Sequence, residues 1–118
     1  MTPAQQQKAI AEACGWKCNG HPDQIAATGG WEFGHQFVIA PDSKLVTHNS
    51  IPDYLGDLNA INEAEKTLSK EQQYENLRKL APDWRSWKDG TAYLIICYAT
   101  ASERAKAFLL TLNLWTED

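Results

Sequence analysis

The chain has 118 residues, 43% hydrophobic and 22% charged, close to the averages for globular proteins, so one domain over 1–118 with its own core is expected and a disordered or fibrous chain is not. A net charge of −4 with dispersed Lys and Arg lacks the basic footprint of a direct nucleic-acid binder. No apolar run reaches the roughly 18 residues that span a bilayer, no leader is visible from Met1 to Lys8, and Cys14, Cys18 and Cys97 are an odd set. The expectation is a cytoplasmic protein in a reducing compartment, with no membrane partner.

In chain order, Thr2-Pro3-Ala4-Gln5 reads as a helix start with a capping box and proline in the first turn. Ala4, Ile10 and Ala13 supply its inner face, and Gly15 its stop. The stretch from Lys17 to Gly34 reads as loop that could hold short strands. Gln36 to Ala40 then reads as a strand, turned by Pro41-Asp42-Ser43 and paired in a hairpin with Lys44 to His48.

Asp57 caps a helix carrying Leu58, Ile61, Ala64 or Glu65, and Leu68 at helical spacing. A second capping box, Ser69 to Gln72, opens a helix with Tyr74, Leu77, Leu80 and Ala81 on its buried side and Pro82 at its end. Trp84 and Trp87 fall in a polar loop between Pro82 and Gly90. Tyr93 to Ala99 is short, apolar and rich in strand-favouring residues, so it is expected to be the central buried strand, with Cys97 packed inside. A third capping box, Thr100 to Glu103, opens a last helix whose Ala105, Phe108, Leu109 and Leu112 stripe should pack on the sheet. The fold class expected is α/β (α+β): a single layer of antiparallel or mixed sheet sandwiched by helices.

Three blocks carry a resemblance: Ala9 to Trp16, Ile51 to Ala60 with Glu63-Ala64-Glu65, and Ala99 to Ala101 through Ala107-Phe108-Leu109 to Leu114-Trp115. In this order they resemble small proteins of tailed bacteriophages and prophages in the group with a phage ABA-sandwich domain. The resemblance implies a sheet between helices and a phage or prophage origin, and it implies no enzyme activity. By analogy of fold and context, it points to an anti-defence accessory protein, an oligomer in the host bacterial cytoplasm that sequesters a small nucleotide signal.

Candidate sites follow from residue chemistry. Tyr54, Asp57 and Asn59 lie where a helix N-terminus could meet an anion, although Asp57 itself fills that position as a cap. His48 flanks the hairpin, and Arg104 can grip a carboxylate or phosphate with its planar fork or simply pair with Glu103 or a neighbouring helix. Trp84 and Trp87 could stack a purine, anchor a protein partner or fold back over the core.

Cys14, Cys18 and His21 have a zinc-like spacing without a second ligand pair, so no metal or other cofactor is expected. No catalytic motif is recognisable. The expected function is therefore binding, with a small anionic nucleotide-like ligand or a host protein as partner and self-association of the chain. A small enzyme with an unidentified cleft is the remaining alternative.

Overall fold

The computed structural model describes residues 1–18, 37–47 and 50–117, with the side chains of Cys18, Phe37 and Thr47 left aside. The described elements are α1 (Pro3–Ala13), β1 (Lys17–Cys18), β2 (Phe37–Ile39), β3 (Leu45–Thr47), α2 (Leu58–Glu65), α3 (Lys70–Leu80), α4 (Trp84–Asp89), α5 (Thr91–Cys97) and α6 (Ala101–Thr111). The domain is mostly helical, with a small antiparallel sheet in the order β1-β2-β3. The expected sheet sandwiched by helices is not formed among the described residues.

Local chemistry explains where the helices begin. Thr2, Ser69 and Thr100 each cap a helix and form a complete capping box with Gln5, Gln72 and Glu103. Asp57 caps α2 by accepting from the Asn59 N–H at 2.9 Å. Gly15, at φ +100, turns the chain from α1 into β1, a conformation in which a Cβ would be strained. The hairpin is in the expected place, with Val38 facing Val46 and Ile39 facing Leu45.

The core sits around α6. Ala105, Phe108 and Leu109 are buried with Ile10 and Ala11 of α1, Val38 of β2 and Ile61 and Ala64 of α2. Leu112, Trp16 and Trp115 are partly buried against this cluster. The last helix packs on α1, α2 and α3 rather than directly on a broad sheet. The segment ahead of α2 is pinned to α1 by one side chain: Gln7 donates to the Pro52 carbonyl and accepts from the Tyr54 N–H at 3.0 Å.

Four expectations about single elements are corrected. Tyr93 to Ala99 is no strand: Thr91–Cys97 is helix α5, and Cys97 is exposed. One backbone group near each end meets a side chain: Asp89 accepts from the Thr91 N–H at 2.9 Å, and Arg104 donates to the Ile96 carbonyl at 2.8 Å. Trp84 and Trp87 stand on helix α4, capped by Asp83, instead of in a loop. On α3, Tyr74 is exposed and Asn76 is buried, so the inner face is rotated from the one its apolar spacing indicates. On α1 the buried residues are Ile10 and Ala11, while Ala4 and Ala13 are exposed.

Phe108→Ala should destabilise the protein by about 3–5 kcal/mol, because it leaves a cavity where α6 meets the other core elements. Leu94→Ala, on the exposed side of α5, should change stability by less than about 1 kcal/mol. Urea unfolding of dilute protein measures both, and a large loss at Leu94 would return Tyr93 to Ala99 to the core.

Candidate functional site

Among the described residues, two constructions gather polar or aromatic side chains. The first is a four-helix junction. Arg104 of α6 donates to both carboxylate oxygens of Glu65 on α2, at 3.2 and 3.3 Å, and to the Ile96 carbonyl of α5. Asn76 of α3 donates to Glu65 Oε2 at 2.7 Å. The Glu65 and Arg104 side chains are 14% and 16% exposed, so the pair is largely shielded from water.

Beside this junction a recess of about 250 Å³ is lined by Glu65, Lys66, Gln73, Asn76, Leu77 and Arg104. Asn76 Oδ1 is buried and has no hydrogen-bond partner among the described residues. Glu65 already accepts from both Arg104 and Asn76, which leaves the junction a structural lock with little capacity for an anion.

The second construction is the corner between α3 and α4. Basic Arg78 and Lys79 occupy the last turn of α3, where they complement the helix dipole, and the helix stops at Leu80 ahead of Pro82. Asp83 caps α4 by accepting from the Arg85 N–H at 3.0 Å. The Ser86 hydroxyl and the Trp87 indole N–H then tie α4 back, donating to the carbonyls of Asp83 at 2.6 Å and Ala81 at 2.8 Å. The Trp87 ring is thereby held across the corner.

The result is a cleft of about 500 Å³ lined by Tyr74, Arg78, Pro82, Trp84 and Trp87. Trp84 is 62% exposed, and its ring has Lys88 Nζ at 5.2 Å and Arg85 Cζ at 5.9 Å from its centroid. Arg78 has only a loose, exposed pairing with Glu75 at 3.8 Å, an interaction that holds it weakly. Cations and open aromatic faces are therefore concentrated at one corner of a molecule that is acidic as a whole. Such a corner can stack a planar ring and pair with an anion.

Of the residues singled out in the sequence, only Trp84 and Trp87 share this cleft. Arg104 lies in the junction, paired with a neighbouring helix. Tyr54 is buried in the core cluster against which Cys14 and Trp16 pack. Asp57 is the α2 cap and Asn59 stands exposed in the first turn of that helix. His48, His21 and the side chain of Cys18 fall outside the described residues, and with them the zinc-like spacing. Among the described residues, no group of three or more His, Cys, Asp or Glu converges.

Tyr74 and Arg78 are cleft residues that the apolar pattern conceals. Their i, i+4 spacing places them on one helix face, which is the signal that could have paired them. Burial raises Cys14 and Tyr54, hydrogen bonds from Thr91 lower Asp89, and those in the Thr100 capping box lower Glu103. In comparisons with protein-family models, curated proteins and solved structures, nothing matched this chain. No described helix is long and apolar enough to cross a membrane.

Two predictions follow from these arrangements. Arg104→Met should lose about 3 kcal/mol in urea unfolding, since Glu65 would remain shielded with its charge uncompensated, and Glu65→Leu/Arg104→Met should recover part of that loss. Tyr54 and Cys14 have raised pKa values in the fold, so their contribution is fully present below about pH 8.5 and is lost as pH rises through the values of the unfolded chain toward those of the fold. Tyr54→Phe should therefore flatten the alkaline decline of the melting temperature; an unchanged decline would remove Tyr54 as its source.

Proposed function

We propose that this protein works by binding rather than catalysis, and that the α3–α4 cleft takes a planar, anionic small molecule of the nucleotide class. One observation carries the reading: three aromatic rings and Arg78 surround the same concavity. Its volume of about 500 Å³ falls in the range of small-ligand sites. The Trp84 face can stack a base, while Arg78 can leave its loose contact with Glu75 for a phosphate. Arg85 and Lys88 add positive potential around the ring.

Sequestration of a nucleotide signal needs only such a site. The phage or prophage setting, with an anti-defence role in the host cytoplasm, is supported by the sequence resemblance, although the sandwich fold it implied is not the one formed. A host protein as the cleft's partner is a second reading, favoured by the exposure of Trp84 and Trp87, residue types that anchor interfaces.

Tryptophan fluorescence titration with mononucleotides, ADP-ribose and cyclic dinucleotides tests the proposal. At least one should bind saturably, and Trp84→Ala should weaken it about 5- to 150-fold, the equivalent of 1–3 kcal/mol for base–aromatic stacking. Arg78→Gln should weaken binding and reduce its salt dependence. If no compound binds at millimolar concentration, the small-ligand reading fails and the host-protein reading takes its place.

A further inference from the structure

We infer that α5 is the contact surface between two copies of this chain. No charged residue occurs from Gly90 to Ser102. On α5, Ala92 is buried and Ile96 half-buried, which gives the helix a narrow inner face. The remaining large side chains, Tyr93, Leu94, Ile95 and Tyr98 at its C-cap, are 42% to 82% exposed, and Cys97 is exposed beside them. A helix that is apolar all round belongs under cover, and the described residues cover only one side of this one.

The occupant follows from charge and area. An uncharged face offers no complementary potential to an acidic or basic partner, whereas depletion of charge with enrichment of aromatics is the composition of an interface centre. The same face on a second copy is equally apolar, and a two-fold axis makes such a patch complementary to itself. Taking about 200 Å² for a whole large side chain, the four leave about 500 Å² bare. Two copies face to face would remove about 1,000 Å², the lower bound for a specific interface.

Tyr93 with Cys97 and Leu94 with Tyr98 are i, i+4 pairs, so they form two adjacent rows along the outer face. Leu94 stands at the middle of α5 and lies nearest the two-fold axis, against its own equivalent. The flanking charges, Asp89 and Glu103, stay at the rim. An interface of this size forms a dimer that exchanges with monomer at micromolar concentration. It uses none of the cleft residues and does not depend on the cleft's ligand.

Sedimentation velocity from about 2 to 200 μM reads this directly. The wild-type mass should rise toward twice the monomer value across the range. Leu94→Glu and Tyr98→Glu should each remain monomeric with an unchanged far-UV circular dichroism spectrum, while Leu45→Glu, exposed on β3, should dimerise like the wild type. If Leu94→Glu does not fold, Tyr98→Glu decides, since Tyr98 is 82% exposed. A wild-type chain that stays monomeric at the highest concentration, folded α5 variants that still dimerise, or loss of the dimer with Leu45→Glu would each overturn the inference.

Discussion

The ion pair between Glu65 and Arg104 is the constraint on which the helical arrangement depends. It joins α2 to α6, and each partner has a further duty: Arg104 closes a carbonyl at the end of α5 and Glu65 accepts from Asn76 on α3. Four helices are thus registered at one point. A shielded ion pair does not by itself guarantee stability, because desolvation offsets much of its Coulombic gain. Its effect here is positional: if either partner moved, a polar group would be left without compensation in a region shielded from water.

The aromatic corner is built outward from that junction. Because α3 is held through Asn76, its opposite face presents Tyr74 and Arg78 to solvent. Pro82 and the Asp83 cap reverse the chain, and the hydrogen bond from Trp87 to Ala81 fixes α4 against the end of α3. The cleft is therefore a consequence of how α3 ends, with rigid helix-borne side chains on both walls. Its aromatics are held open to solvent beside a loosely paired arginine. Such a surface can stack a planar ring and pair with an anion.

Helix α5 shows how a local pattern can indicate the wrong element. Tyr93 to Ala99 has the apolar, partly β-branched character of a core strand, yet a run of this length does not distinguish a strand from a helix. The helix has support at both ends: Asp89 accepts from the Thr91 N–H, and Arg104 reaches from another helix to the Ile96 carbonyl. The resulting helix turns most of its apolar side chains outward, where burial patterns read from sequence had placed them inside.

The sequence by itself determined the helix starts at Thr2, Asp57, Ser69 and Thr100, the hairpin around Pro41 to Ser43, and the buried stripe of Ala105, Phe108 and Leu109. Those features rest on contacts within a few residues or on one periodicity, which a linear chain carries in full. Trp84 and Trp87 were legible as candidate binding residues, but their union with Tyr74 and Arg78 was not. Tertiary structure alone decided that union, the partner of Arg104, the helical state of α5 and which face of α3 points inward. Each depends on side chains of different helices meeting in space, and a shielded polar group takes whichever partner on a neighbouring helix satisfies it.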